Sequence, residues 1–181
     1  MWLGWLVYLE IQETGSGLGA DPREGMVHYL GVWAIRMLLL AFSVTPIRRL
    51  LSQPLLARCR RLVGLYAFAY VVLHVTAYTV LYIEFDWGLL LEDFVERSFI
   101  TAGMAAFTCL LLMAATSTRG WQRRLRHNWR RLHKLVYLAV LLAIVHLVWL
   151  TKDDYADSVY YAVWFAVLLG ERAYRRVKPA R

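Results

Sequence analysis

The chain has 181 residues, of which 60% are hydrophobic and 19% are charged, and its formal net charge at pH 7 is +8. Its mean hydropathy is +0.45, whereas soluble domains are only about 45–50% apolar, so the composition excludes a single water-soluble domain. Two cysteines are too few for a disulfide scaffold. The length predicts one domain, which we take as residues 1–181.

Five apolar runs are long enough, or nearly so, to cross a bilayer as helices, which requires about 20 residues. In chain order these runs are Val27–Ile47, Leu62–Ile83, Ser98–Ser117, Leu132–Thr151 and Ser158–Tyr174. A shorter run, Trp2–Ile11, cannot span alone, and we interpret it as part of a truncated helix or as an interfacial segment. The sequence predicts an all-α integral membrane helix bundle of five full transmembrane helices plus a truncated N-terminal one. No internal repeat is visible in the sequence.

The connections between these runs alternate in the sign of their charge. Most of the 21 basic residues lie in Thr45–Arg61, Thr118–Lys134 and the C-terminal tail, whereas nearly all of the 13 acidic residues lie in the other connections. Because positively charged segments stay in the cytoplasm, the basic loops and the C-terminus are predicted inside and the acidic loops outside. A nucleic-acid-binding protein would not show this alternation, so we expect contact with membrane lipid and none with nucleic acid.

Two histidines lie inside predicted spans, where ionisable residues are costly and usually functional. His74 follows Arg61, and His146 follows His133, by the same 13 residues, which is about 20 Å of helical rise. Two imidazoles at equal depth can ligate one metal from opposite sides, and a helix bundle can enclose a haem between them. The hypothesis is a bis-histidine haem. The alternative is that each histidine hydrogen-bonds to a polar neighbour on another helix.

Two further basic sites are candidates for cofactor binding. His133 lies at the inner boundary, where Arg60 and Arg61 occupy the corresponding depth on the other helix; arginine does not ligate iron but can hold a propionate. His133 is a candidate ligand of a second haem, a propionate partner, part of a site for a quinone or flavin donor, or a structural boundary residue. Arg36 lies well inside a span at a cost of about 2.5–3.5 kcal/mol, so we expect an anionic partner, either a haem propionate or a lipid head group.

Several motifs in combination resemble the MsrQ (YedZ) family, the haem-binding membrane subunits of the MsrPQ methionine sulfoxide reductase system, in the ferric-reductase-like transmembrane superfamily. The motifs are Leu18–Pro22, Thr45–Arg49, Arg60–Leu65, Leu73-His74, Thr116–Thr118, Trp129–Tyr137 and His146–Trp149.

The resemblance implies a multi-pass protein of the bacterial inner membrane with six helices, and the charge pattern places its C-terminus in the cytoplasm. It implies electron transfer from the quinone pool or a cytosolic flavin reductase to a periplasmic, MsrP-like molybdopterin subunit that repairs methionine sulfoxide in oxidised proteins. Such a chain is an electron-transfer subunit rather than the catalytic subunit. The cofactors implied are haem b, one or two per chain and linked to His74, His133 and His146, and FMN, for which no residue pattern locates a site.

Two other function classes stay open from the sequence. A stand-alone ferric reductase or oxidase of the same superfamily would need an attached flavin and nicotinamide domain. A non-redox membrane protein, such as one with a proton path through the histidines, would bind no haem.

Overall fold

The computed structural model describes residues 21–151 and 155–177, and within these ranges it contains helices and no strands. We number the helices α1 (Pro22–Leu50), α2 (Leu56–Tyr78, continued by a π-helical turn over Thr79–Ile83), α3 (Trp87–Glu96), α4 (Ser98–Ala115), α5 (Arg119–Leu125), α6 (His127–Leu132), α7 (Leu135–Leu150) and α8 (Ala156–Val177). The predicted all-α class is confirmed.

The first helix begins at a strong capping sequence. The Asp21 carboxylate accepts a hydrogen bond of 2.9 Å from the amide of Arg23, and Pro22 occupies the first helical turn, where its missing N–H costs nothing. The same chemistry starts α3, because the carboxylate of Asp86 accepts from the amides of Gly88 and Leu89. Between α2 and α3 the chain reverses through Glu84 and Phe85, which both have positive φ angles.

Four stretches of helix are long and apolar enough to cross a membrane: Pro22–Leu50, Cys59–Ile83, Ser98–Ala115 and His127–Leu150. They contain the first four predicted runs almost entirely and support a membrane protein. The last predicted run also forms a helix, α8, but α8 is not among the four stretches because Glu171, Arg172 and the arginines after them make it more polar. The run Trp2–Ile11 lies outside the described residues.

One predicted helix is interrupted. The run Leu132–Thr151 was expected to be continuous, but α6 ends at Leu132 and α7 begins at Leu135, with His133 and Lys134 between them. This break places His133 at a helix end rather than within a regular helix.

The helices pack as two hairpins with α8 against them. Helix α1 packs along α2, α4 packs along α7, and α8 contacts both α1 and α7. Aromatic contacts join the hairpins: Phe42 meets the edge of Tyr137 at 5.2 Å between ring centroids, and Phe68 stacks on Phe107 at 6.3 Å. Leu39 and Tyr161 are fully buried in the core between the helices.

Polar contacts fix α8 in place despite its charge. The Arg172 guanidinium donates a 2.6 Å hydrogen bond to the carbonyl of Phe42 and lies 3.7 Å from the centre of the Phe42 ring. Trp164 Nε1 donates to Ser43 Oγ at 3.1 Å. These bonds satisfy polar groups of α8 and α1 where water is scarce, so the register of α8 against α1 is fixed by hydrogen bonds as well as by packing.

Candidate functional site

The structure brings His74 and His146 together. Their ring centroids are 6.2 Å apart, with the ring planes nearly perpendicular at 88°, and both side chains are partly buried. His74 comes from α2 and His146 from α7, so each hairpin supplies one of the two imidazoles.

Each ring is held through one nitrogen by a backbone carbonyl. His74 Nδ1 donates to the carbonyl of Val27 at 2.9 Å, and His146 Nδ1 donates to the carbonyl of Phe99 at 2.6 Å. A carbonyl can only accept, so we assign the proton to Nδ1 in both rings. The alternative considered from the sequence, a hydrogen bond across helices, is present but leaves both Nε2 lone pairs available to a metal.

The distance between the rings fits a single metal ion. Bonds from a first-row metal such as zinc to imidazole nitrogen are about 2.0–2.1 Å, and adding roughly 1.1 Å from each nitrogen to its ring centre gives about 6.3 Å between centroids. Within the described ranges no group of three or more His, Cys, Asp or Glu side chains stands together. Two imidazoles without further protein ligands fit a haem, because the porphyrin supplies the remaining nitrogen ligands.

His133 lies apart from this pair. It follows α6, its Nδ1 donates to the carbonyl of Trp129 at 3.1 Å, and its ring stacks on Trp129 at 4.0 Å between centroids. His146 is 11 residues beyond Leu135, the first residue of α7, which amounts to about 17 Å of rise. One planar cofactor cannot take both histidines as ligands.

The two arginines predicted near His133 lie at the start of α2, and both are exposed. The charge of Arg60 is close enough to act on the His133 ring and also on Arg172. Arg61 is the next residue of the same helix. Arg60 and His133 therefore belong to one basic region at the end of the bundle opposite the histidine pair.

Arg36 has a different environment from the one expected. Its Nε donates to the Tyr161 hydroxyl at 2.9 Å, and its guanidinium lies 5.6 Å from the centre of the Trp33 ring. It lines a cavity of about 410 Å³ between α1 and α8, together with Trp33, Leu40, Asp157, Tyr160, Tyr161 and Trp164. Because Gly31, which touches His74, lies five residues earlier and so about 140° away around the helix, Arg36 faces away from the histidine pair. This direction does not support a propionate of a haem at the histidine pair as its partner, and the cavity that Arg36 lines contains one carboxylate, that of Asp157.

Sequence reasoning missed the groups that hold the two rings. A backbone carbonyl carries no residue-type signal, and neither Val27 nor Phe99 has a side chain that indicates a polar role. One signal was available: each histidine follows its acceptor by the same 47 residues.

Comparison with known proteins places this arrangement in a family. Residues 30–144 match the family model described as ferric reductase like transmembrane component. A protein-methionine-sulfoxide reductase heme-binding subunit MsrQ from Xanthomonas campestris pv. campestris (strain 8004) is 44% identical over 179 residues, covering 99% of this chain and 82% of the relative. The protein of the same name from Caulobacter vibrioides is 43% identical over 169 residues, covering 93% of this chain and 78% of the relative.

Proposed function

The chain belongs to the MsrQ family of ferric-reductase-like transmembrane components, and on that basis we propose that it is a haem-binding electron-transfer subunit of a methionine sulfoxide reductase system. The observation that carries the proposal is the pair of imidazoles 6.2 Å apart, each with Nδ1 engaged and Nε2 free. The family relatives are named as heme-binding subunits, which agrees with this donor set.

The residues of the chain supply ligation and orientation. His74 and His146 would hold the iron through Nε2, while their hydrogen bonds to the carbonyls of Val27 and Phe99 fix each ring and increase its basicity toward a metal. A haem bound there supplies reversible one-electron chemistry at iron. The haem is proposed to be b-type, because the sequence contains no C-x-x-C-H motif for covalent attachment.

The position of the pair suits electron export. His146 lies four residues before the end of α7, and His74 lies nine residues before the end of the π-helical turn, which is about 6 Å and 14 Å of rise. The charge distribution predicts that these helix ends face outside. We therefore propose an acceptor on the periplasmic side of the inner membrane, a molybdopterin-containing catalytic subunit, with the C-terminus of this chain in the cytoplasm.

Electrons are proposed to enter at the opposite end, near His133, Arg60 and Arg61. The donor there is the quinone pool or a cytosolic flavin reductase. Arg60 is near enough for its positive charge to act on His133, which favours an anionic group at this boundary, such as the phosphate of FMN or the propionates of a second haem.

The test is haem content and a reduced-minus-oxidised absorption spectrum of the purified protein. Wild type should show the spectrum of a low-spin bis-imidazole haem, and His74→Ala and His146→Ala should each abolish or strongly change that spectrum, because each removes one of the two imidazoles that would hold the iron. His127→Ala is the matched control, since His127 is exposed at the start of α6, and it should leave the spectrum unchanged. A normal low-spin haem at full occupancy in His74→Ala would contradict the proposal.

A further inference from the structure

The two central histidines are held by the same arrangement, built twice. In the first copy His74 donates to the carbonyl of Val27, and its ring lies against Gly31, four residues further along α1. In the second copy His146 donates to the carbonyl of Phe99, and its ring lies against Gly103, four residues further along α4. All three members of the second copy follow their counterparts by 72 residues.

The same interval relates other parts of the two hairpins. Ala67 and Ala139 are both completely buried. The hydroxyls of Thr79 and Thr151 each donate at 2.9 Å to the carbonyl four residues earlier, those of Val75 and Leu147. The hairpins α1–α2 and α4–α7 therefore share these buried and hydrogen-bonded positions at one constant interval along the sequence. This spacing is not visible as a sequence repeat, because only the histidines, the glycines and a few other residues recur while most of the side chains differ.

The glycine of each copy is the position at which an added side chain would disturb the arrangement most. In an α-helix the carbonyl of Val27 already accepts from the amide of Gly31, so a ring that reaches that carbonyl from outside must cross the surface of residue 31. A Cβ added to Gly31 would lie 3.1 Å from His74 Cε1, and one added to Gly103 would lie 2.8 Å from His146 Nδ1. Ordinary Cβ contacts lie at 3.4–4 Å.

We propose that Gly31 and Gly103 are positioning residues for the metal ligands: each lets an imidazole reach the carbonyl one turn earlier, and so directs Nε2 toward the space between the hairpins. The identity of the bound group rests on the proposed function, whereas the hydrogen bond and its dependence on glycine do not. The imidazole lies closer to the glycine in the second copy than in the first. We therefore expect replacement of Gly103 to disturb its histidine more than replacement of Gly31.

The test uses Gly31→Ala and Gly103→Ala, with Gly64→Ala and Gly170→Ala as matched controls, since a Cβ at either control position meets nothing within 4 Å. Losing an outer partner of a metal ligand typically costs 10–100-fold in metal affinity. We expect haem affinity to fall about tenfold in Gly31→Ala and more in Gly103→Ala, with loss of low-spin character. Both controls should match wild type.

A second readout does not need haem. In haem-free protein labelled with ¹⁵N-histidine, the Nδ1–H resonances of His74 and His146 should be those of a hydrogen-bonded proton in wild type and both controls. The signal of the affected ring should shift toward a solvent-exchanging imidazole in each Gly→Ala variant. Helix content and elution in detergent should stay as in wild type.

The outcomes separate the two proposals. Wild type that binds no haem but shows the glycine-dependent Nδ1–H signals would defeat the proposed function and support the positioning role. The positioning role is overturned if wild type binds haem normally and both glycine variants keep the wild-type spectrum and the Nδ1–H signals. Loss of helix content in either glycine variant would also overturn it, since the glycine would then serve general packing.

Discussion

A histidine whose Nδ1 donates to a peptide carbonyl can offer only Nε2 to a metal, and three histidines of this chain are in that state. His74 and His146 bond to carbonyls of other helices, whereas His133 bonds to Trp129 in the turn just before it. Only the first two are thereby fixed relative to a neighbouring helix. His133 is fixed relative to its own segment, which suits a residue at an entry site rather than half of a bis-imidazole pair.

Replacing His133 tests that distinction. In His133→Ala we expect the low-spin haem at His74 and His146 to be retained, because its ligands are untouched, while reduction of that haem by the donor slows strongly. Haem content is measured on purified protein and reduction by stopped-flow absorbance, with His127→Ala as control. Haem content halved in His133→Ala would instead establish a second haem, and unchanged reduction would make His133 a structural boundary residue.

Side chains of the candidate site could be predicted from the sequence where the residue type itself carries a signal, and not where it carries none. His74 and His146 could be predicted as candidates because burying an imidazole inside an apolar run costs free energy unless the ring has a partner. Both histidines also follow the basic inner boundary by the same number of residues, which predicted that they lie at the same depth. Arg36 was predictable as a residue needing a partner, but Tyr161 as that partner was not, because it lies 125 residues away and gives no charge signal.

At the scale of elements, α3 is a short amphipathic helix held between two membrane spans. Trp87, Leu91 and Val95 are exposed on it by 65%, 68% and 82%. Its position is fixed by two bonds: the Tyr78 hydroxyl donates to the carboxylate of Asp93, and the Thr101 hydroxyl donates at 2.8 Å to the carbonyl of Phe94. A helix with a large apolar face that carries Trp and Leu, next to a membrane span, is typical of a helix lying in the membrane interface, although the polar residues here are acidic rather than the usual basic ones.

Breaking the bond to α2 should loosen α3 without altering the histidine pair. A hydrogen bond to a charged group contributes about 1.5–3 kcal/mol, so Asp93→Asn or Tyr78→Phe should speed amide exchange in α3 by about tenfold or more, measured by mass spectrometry. Arg97→Gln is the control. This change keeps the bond between Tyr78 and Asp93 and removes only the 3.0 Å ion pair between Arg97 and Asp93. The Arg97 side chain is 54% exposed, and ion pairs of exposed residues contribute about 0–1 kcal/mol to stability. Equal protection in all variants would show that packing alone holds α3.

The boundaries of elements were less predictable than their existence. An apolar run indicates that a segment can enter a membrane, but it does not show where backbone hydrogen bonding stops, so the break at His133 and Lys134 was missed. The π-helical turn after Tyr78 was missed for the same reason. The short helices α5 and α6 lie in a segment whose charge predicted a loop, and Thr118 starts α5 by accepting from the amide of Trp121.

For the whole molecule, the alternation of charge predicts an orientation in the membrane that can be tested directly. In a variant with both cysteines replaced, Glu92→Cys in α3 should react with an impermeant thiol reagent in intact cells, and Arg124→Cys in α5 should react only after permeabilisation. Both positions are exposed, so access to the side chain does not confound the result. Protection of residue 92 in intact cells would reverse the orientation, and the proposed direction of electron flow with it.

The division of the two imidazoles between the hairpins has a consequence for how such a protein is made. In the sequence each hairpin has acidic ends and a basic turn, so we expect each to insert independently and in the same orientation. Neither hairpin carries more than one of the two facing imidazoles, because His74 belongs to the first and His146 to the second. On the proposed ligand set, both rings can hold one haem only after both hairpins have entered the membrane and docked, so we expect the haem spectrum of a cell extract to report completed assembly as well as cofactor supply.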